Sequence, residues 1–454
     1  MHKYRFFIQR GLFLSPLLWP SFSSAQTEAA AAVTKVTLQA PGLVEASTIQ
    51  GADTAWLMVS TALVLLMTLP GIALFYGGMV RRLNVINTMA SVVGIAAVVS
   101  VLWFALAYSL AFTPGGTLGA VIGGVSRMGF SGMEVLGATA QVAASHIAPH
   151  VPESVFAMFQ LTFAIITCAL VVGALVERMQ FGALLLFAGL WLLLVYAPIA
   201  HWVWEPGGWL AQLGTLDFAG GAVVHINAGA AALVCAYALG PRRGYGQEAF
   251  VPFNLGLTMA GTGLLWVGWF GFNAGSALTA DGRAGLALLV THVAAASGAI
   301  AWMTAEWVAR RRATLLGLCS GVVAGLVAIT PAAGFVSPRG ALIIGLVAGV
   351  ACYWGATALK RKLGADDSLD VFGVHGVGGL VGALLTGVLV DPAISGAQGS
   401  VVAQLTACVA VLGYSLVMTA VVLWITSRFA TLRVRERDEQ AGLDASLHQE
   451  QLGH

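Results

Sequence analysis

Eleven apolar segments, each long enough to cross a lipid bilayer, restrict the fold of this chain more than any other feature. Only 9% of its 454 residues are charged, whereas a soluble domain carries about 25%. A transmembrane helix needs about 20 mostly apolar residues. The sequence therefore predicts an all-α polytopic membrane protein with eleven transmembrane helices, at residues 54–79, 86–111, 153–175, 181–199, 219–239, 251–273, 284–307, 314–332, 339–359, 371–390 and 400–426.

Lysine and arginine are distributed unevenly between the loops that join these segments. One set of alternate loops holds eleven of them, including Arg81, Arg82 and the run 360–362, and the C-terminal tail adds four arginines. The other set holds only Arg127, Arg283 and Arg339. Basic loops of membrane proteins face the cytoplasm. The distribution therefore predicts that the N-terminus lies outside and the C-terminus in the cytoplasm.

The N-terminus has the features of an export signal. Lys3, Arg5 and Arg10 precede a short apolar run at 11–20, and small residues at 23–25 suit signal peptidase. We expect a cleaved signal peptide at 1–25, a periplasmic segment at 26–52, a helical domain at 53–427 and a cytoplasmic tail at 428–454. This arrangement predicts a multi-pass protein of a bacterial inner membrane.

The same combination, an aspartate followed eight residues later by a histidine, occurs at the start of two of the apolar segments. The pairs are Asp217 with His225 and Asp367 with His375. Ionisable groups within a membrane are costly unless they are paired or line a cavity. Because the pairs fall at the predicted fifth and tenth helices, they indicate two inverted halves of five helices, plus one extra C-terminal helix. The pattern predicts a transporter or channel with a histidine pair in its pore.

Other functional classes are less compatible with these residues. The five cysteines are scattered singly through apolar segments, which is typical of small buried side chains. An intramembrane metalloenzyme using His225, His375 and an aspartate is a competing interpretation, but the spacing supplies no clear third ligand. No basic tract of the kind that binds nucleic acid occurs. We therefore expect a protein that is not an enzyme and holds no cofactor or metal.

Four segments of the chain carry long motifs, at residues 71–78, 217–227, 268–276 and 370–376. Through them the chain resembles, over residues 55–444, the ammonium transporter family, which comprises bacterial Amt proteins and their Rhesus relatives. The resemblance implies a homotrimer in the lipid bilayer, in which each eleven-helix protomer has its own pore. It also implies transport of ammonium, with methylammonium as an analogue.

The resemblance assigns roles to individual residues. It implies an outer ammonium site, a gate of two stacked rings beneath it, and a histidine pair that hydrogen-bonds NH₃ or relays a proton. The outer site comprises Phe159, Trp204, Ser276 and the supporting Asp217; the gate comprises Phe163 and Phe272; the pair is His225 and His375. Aromatic faces attract a desolvated cation by about 2 kcal/mol. Without the resemblance, the phenylalanines would be interpreted as core packing and Trp204 as an interfacial residue.

Asp367 and Asp370 are expected to act differently, by capping their helix and neutralising the basic run at 360–362. The predicted mechanism is capture of NH₄⁺, its deprotonation near the gate, and passage of NH₃ past the histidines. Two alternatives within the same fold are an ammonium sensor and a Rhesus-like channel for NH₃ or CO₂. No fused output domain follows the last helix, which disfavours the sensor.

The sequence also differs from the family pattern next to Trp204 and in the tail, besides a mild change at Ala222, where threonine is usual. Glu205 and Pro206 follow Trp204 where family members often have glycine, and a loop-capping role for Glu205 is favoured over attraction of cations. In the tail, residues 433–436 and 442–444 resemble a regulatory segment to which trimeric PII signal proteins respond. The resemblance of these two segments implies a cytoplasmic PII protein as a partner. The final residues 447–451, however, depart from the ending that is usual in the family.

Overall fold

The computed structural model describes residues 37–453, so the predicted signal peptide lies outside the described residues. Eleven apolar helices follow one another, and all but the eighth, which has 15 residues, are long enough to cross a membrane. They are α1 (Gly51–Met79), α2 (Arg82–Phe112), α3 (Glu153–Leu175), α4 (Phe181–Gln212), α5 (Gly221–Leu239), α6 (Leu255–Gly275), α7 (Gly282–Arg310), α8 (Leu315–Ile329), α9 (Pro338–Leu363), α10 (Phe372–Leu389) and α11 (Val401–Phe429).

Each predicted segment corresponds to one of these helices, and the largest difference is at α4. The prediction ended this helix at residue 199, beside Pro198, but the helix continues to Trp204 and, after a turn at 205–208, to Gln212. A π-helical turn at Leu192–Tyr196 ends two residues before the proline. Such a turn absorbs a local irregularity in the hydrogen bonding of a helix. The continuation matters because it places Trp204 at the end of a rigid element.

A small antiparallel sheet, which the sequence did not predict, lies among the loops that carry few basic residues. It comprises β1 (Gly42–Glu45), β2 (Val135–Leu136) and β3 (Gln141–Ala144), in the order β1-β3-β2. Leu43 pairs with Ala143 in the first ladder. The sheet attaches the segment before α1 to the long loop between α2 and α3.

Small residues bring α7, α8 and α9 into close contact. A Cβ atom at Gly325 would overlap the backbone of Ala294 in α7, and one at Gly349 would overlap the carbonyl of Gly298. These glycines belong to two pairs spaced four residues apart, Gly321/Gly325 and Gly345/Gly349. In a membrane, such approach of backbones supplies van der Waals contact where lipid gives no hydrophobic driving force. All five cysteines are buried and free, as predicted.

Four charged side chains form a buried network on the face that holds the basic loops. Arg242 donates hydrogen bonds of 2.9 Å from Nε and Nη2 to Asp366 and lies 3.3 Å from Glu177. Arg178 donates to the main-chain carbonyl of Asp366 at 2.6 Å. None of the four side chains is more than 6% exposed. The network ties together the loops that follow α3, α5 and α9.

Replacing Asp366 with asparagine is expected to lower the free energy of unfolding by about 3–5 kcal/mol, because it removes the buried carboxylate that pairs with both Arg178 and Arg242. Burial alone would raise the pKa of Asp366, but the hydrogen bond and charge of Arg242, with the charge of Arg178, hold that pKa below its usual range. The stabilisation is therefore complete above the unfolded pKa, about 3.9, and is lost as pH falls through the lower folded value.

Thermal unfolding of the detergent-solubilised protein checks this expectation at near-neutral and strongly acidic pH. The matched control is Glu436→Gln, which removes a carboxylate that is 77% exposed and paired with Arg243. Exposed pairs contribute about 1 kcal/mol or less. Equal effects of the two variants at neutral pH would contradict the interpretation, as would a larger effect of Asp366→Asn in acid.

The tail after α11 packs against this same face. Arg433 donates to the carbonyl of Leu239 at 2.8 Å. Asp444 accepts hydrogen bonds from the main-chain N–H groups of Ile86 and Asn87, in the first turns of α2, at 3.1 and 2.8 Å. Both tail segments that the sequence singled out therefore contact the helices, and His448, beyond them, lies 3.0 Å from Asn87 Oδ1.

Candidate functional site

The two histidines of the repeated motif meet in the centre of the helical bundle. His225 lies in a π-helical turn, Gly221–Ile226, and His375 lies in another, Phe372–Gly376. Their Nδ1 atoms are 3.3 Å apart, and the ring centroids are 5.3 Å apart. Both residues are buried, and His225 Nε2 has no hydrogen-bond partner within the described part of the chain. π-Helical turns often mark functional sites.

Close approach of two helices makes this meeting possible. A Cβ atom at Gly229 in α5 would overlap the backbone of Gly376 in α10. The two helices start on opposite faces of the bundle, because five crossings of the chain separate their beginnings. This arrangement agrees with the inverted halves that the paired motifs predict.

Asp217 caps the beginning of α5 with an unusually complete set of hydrogen bonds. Its two carboxylate oxygens accept from the main-chain N–H groups of four consecutive residues, at 2.5 to 3.1 Å; these are Gly220, Gly221, Ala222 and Val223. Gly220 has a φ of 112°, a conformation that favours glycine. Asp217 also accepts, through its carbonyl oxygen, a 2.9 Å hydrogen bond from Trp204 Nε1. One aspartate therefore positions both the His225 turn and the Trp204 ring.

Asp367 and Asp370 occupy the corresponding place at the start of α10. Asp367 caps the helix, and Asp370 forms an ion pair. Asp367 accepts one hydrogen bond, from the N–H of Phe372 at 2.7 Å, and burial raises the pKa of Asp367 to about 6. Asp370 pairs with Lys360 at 2.7 Å. Among the described residues, Arg361 and Lys362 have no carboxylate within ion-pair distance. The expected neutralisation of the basic run is thus seen only at Lys360.

A cavity of about 90 Å³ lies on the face opposite the buried charge network, and it is called the outer cavity after the site that the resemblance implies. Trp204 and Ser276 line it, as the resemblance implied. The Ser276 hydroxyl donates to the carbonyl of Phe272 at 2.8 Å, so its oxygen is left to accept a hydrogen bond from a molecule in the cavity. Phe159 does not line the cavity; it is fully buried and packs edge-on against Phe163 at 5.0 Å.

Two stacked rings separate the outer cavity from the histidines. Phe163 and Phe272 lie 4.2 Å apart at an interplanar angle of 18°, and both are fully buried. Phe163 also forms part of the cavity wall and lies edge-on to Trp204 at 5.7 Å. The ring of His225 follows, 6.2 Å from Phe272. A molecule that leaves the cavity toward the histidines must therefore displace the stacked rings.

A second cavity, of about 140 Å³, opens on the other side of the histidine pair. His375 lines it, together with Tyr76, Asp370 and the network residues Glu177 and Arg242. Two cavities, a ring pair and a histidine pair thus form one line through the bundle.

Several wall residues of the outer cavity were not predicted, namely Phe112, Ile147, Gln160, Phe218 and Leu278. Phe112 lies nearly parallel to Trp204, with ring centroids 6.5 Å apart. No short motif marks these residues, because they converge from separate loops and helices. Among residues 37–453, no three His, Cys, Asp or Glu side chains are grouped so that they could hold a metal ion.

Comparison with known proteins agrees with this architecture. A sequence profile described as Ammonium Transporter Family matches residues 55–452. An ammonium transporter of Bacillus subtilis (strain 168) is 46% identical over 410 residues, which cover 88% of this chain and 98% of that protein. The crystal structure of Saccharomyces cerevisiae Mep2 superposes with a TM-score of 0.78 at 36% identity, covering 86% of this chain and 91% of that one.

A structure described as a Sensor Amt Protein superposes with a TM-score of 0.78 at 26% identity, covering 87% of this chain and 98% of the other. The match to Mep2 confirms the predicted fold class, an all-α polytopic membrane protein. The profile covers most of the chain, and the Bacillus protein is matched over nearly its whole length. This chain belongs to the ammonium transporter family.

Proposed function

We propose that this protein is an ammonium transporter that captures NH₄⁺ in the outer cavity and passes NH₃ between His225 and His375 to the inner cavity. The observation that carries the proposal is the unbroken line of outer cavity, stacked rings, histidine pair and inner cavity. An intact ion in such an apolar path would pay a large desolvation cost. Transfer of the proton to water before the rings removes that cost, and NH₃ takes up a proton from water in the inner cavity.

In the outer cavity, Trp204 and Ser276 are the recruiting residues. The indole face attracts a cation, and the Ser276 oxygen accepts one N–H of ammonium. K⁺ has no N–H to donate, so the hydroxyl distinguishes the two ions. Phe163 supplies a second aromatic surface at the base of the cavity. Phe159 contributes to the site by supporting the Phe163 ring.

The stacked rings and the histidines act in sequence. Phe163 and Phe272 exclude hydrated ions and open only as far as NH₃ requires. The histidine pair then offers ring nitrogens to NH₃ without a fixed charge, and it is the candidate route for a proton. Asp217 acts indirectly, through the hydrogen bonds that fix Trp204 and the turn of His225.

Replacing Trp204 with leucine tests the recruiting role. Loss of about 1–2 kcal/mol of cation attraction is expected to raise the half-saturation concentration for methylammonium by about 5- to 30-fold. Uptake into proteoliposomes measures this value, and K⁺ competition measures selectivity. Trp307→Leu is a matched control, since Trp307 is 54% exposed on α7. An unchanged half-saturation concentration in Trp204→Leu would remove Trp204 from the site.

For the membrane arrangement, we propose an inner-membrane protein with the outer cavity facing the periplasm and the tail 428–454 in the cytoplasm. The excess of basic residues on the inner-cavity face supports this orientation. The proposal includes the signal peptide at 1–25 and the periplasmic segment at 26–52 that the sequence predicts. N-terminal sequencing of the mature protein, and labelling of a single cysteine placed in the tail, test the two parts.

We also propose that the protein assembles as a homotrimer and that its tail responds to a PII protein. His292, near the middle of α7, is exposed on the outer surface of the bundle beside Trp266. A polar ring facing lipid is costly. Contact of His292 with a neighbouring protomer would avoid this cost, so its exposed position supports assembly. The docked tail supports regulation from the cytoplasm. The mass of the native complex and co-purification with a PII protein test these proposals.

A further inference from the structure

The loop of residues 145–151, between β3 and α3, forms part of the outer cavity wall through Ile147. It passes between the two elements that carry the proposed recruiting residues. One is the end of the continuous part of α4, at Trp204, and the other is the turn after α6, which begins at Ser276. A histidine contacts a carboxylate near each end of this loop.

At one end, His146 makes a buried contact with Glu205. His146 Nε2 lies 3.0 Å from both carboxylate oxygens, and the two side chains are 5% and 3% exposed. Glu205 follows Trp204 directly, and its N–H donates to the carbonyl of His201 in the last turn before the break in α4. The contact therefore fixes the residue next to Ile147 against the residue next to Trp204.

At the other end, the contact is more open to solvent. His150 Nε2 lies 3.1 Å from the carbonyl of Leu278 and 3.6 Å from Asp53 Oδ2, with side chains 28% and 15% exposed. Asp53 also accepts a hydrogen bond from the N–H of Ala280 at 2.8 Å. Since Leu278 lines the cavity, this end holds the loop to the Ser276 side.

We infer that His146 and Glu205 are positioning residues for ammonium recruitment, because their buried contact holds Ile147 and Trp204 at the separation that closes the outer wall of the cavity. The inference rests on the proposed recruiting role of Trp204. It also gives Glu205 a definite task. Its carboxylate is occupied by His146 and enclosed by protein, so it acts by holding the wall and not by drawing cations from solution.

The test compares Glu205→Gln, His146→Asn and the double variant in proteoliposome uptake of methylammonium. Each single variant is expected to raise the half-saturation concentration by about tenfold, within the range for coupled buried neighbours, while the maximal rate is unchanged. The double variant should be no worse than the more severe single one, because both break the same contact. Glu134→Gln, at an exposed carboxylate in the same outer region, should match the wild type.

A second set of variants covers the case in which loss of a buried partner prevents accumulation. Ile147→Gly removes the wall residue while leaving all charges in place, and it should raise the half-saturation concentration as Glu205→Gln does. Ile147→Leu keeps an aliphatic side chain at this position, so its half-saturation concentration should equal that of the wild type. The half-saturation concentration and the maximal rate are both measured. A change in recruitment raises the first, whereas a general loss of folded protein lowers the second.

Two results would overturn the inference. One is a half-saturation concentration that stays at the wild-type value in Glu205→Gln and Ile147→Gly while Trp204→Leu raises it. The other is multiplication of the two single effects in the double variant, which would mean that the residues act separately. If Trp204→Leu has no effect, the proposed recruiting role itself fails. This result differs from failure of the inference, in which Trp204→Leu has an effect and the loop variants have none.

Discussion

Replacing Asp217 with alanine is expected to reduce ammonium uptake by about 100-fold or more, the scale on which small misplacements of a functional group lower activity. The carboxylate accepts hydrogen bonds from four consecutive N–H groups at the start of α5. Alanine leaves these buried donors without an acceptor, at about 1–3 kcal/mol for each unpaired group. The turn that holds His225 must then shift, and the anchor of Trp204 shifts with it.

Methylammonium uptake by purified, reconstituted variants measures this effect, with size-exclusion chromatography to show that the protein is folded. Asp281→Ala provides a matched control. Asp281 also caps a helix, accepting from the N–H groups of Arg283 and Ala284, but it lies exposed at the start of α7. Its replacement should leave uptake near the wild-type rate. Full uptake by a well-folded Asp217→Ala protein would refute the role assigned to Asp217.

Replacing both His225 and His375 with alanine is expected to abolish the ammonium-specific transient current of proteoliposomes. The two rings contact each other through their Nδ1 atoms between the stacked phenylalanines and the inner cavity. Loss of a positioned proton-transfer group typically costs about 100-fold or more in rate. The measurement is the current after an ammonium pulse, with K⁺ and Na⁺ pulses at the same concentration.

The matched control for this experiment is Cys235→Ala, a small change at a fully buried position of the same helix as His225. Its current should equal that of the wild type. A new current with K⁺ in the double-alanine variant would assign selectivity to the histidines as well. An unaltered ammonium current in a folded double variant would exclude the pair as the proton route.

Much of the fold was predictable because the bilayer imposes a simple rule on sequence. A spanning helix must satisfy its own backbone within about 20 mostly apolar residues, so apolar runs mark the helices. The exceptions have local causes. The predicted end of α4 at residue 199 is too early, because the π-helical turn at Leu192–Tyr196 lets the helix continue past Pro198 to Trp204.

The site was predictable where its residues are ionisable and repeated, and less so where they are apolar. His225 and His375 stand out in the sequence because charge-bearing groups are rare in the spans. Phe112 and Ile147 carry no such signal, since apolar residues are common everywhere in this chain. Phe159 was predicted to line the cavity, but Phe112 lines it instead. This difference depends on how α2 and α3 pack, which a short motif does not encode.

The most direct test of the account is uptake of labelled methylammonium by proteoliposomes that contain only the purified wild-type protein. The account predicts saturable uptake that ammonium competes away and that equal concentrations of K⁺ and Na⁺ leave unchanged. Uptake no greater than that of protein-free vesicles, from protein that still binds ammonium, would contradict transport and favour a sensor built on the same fold.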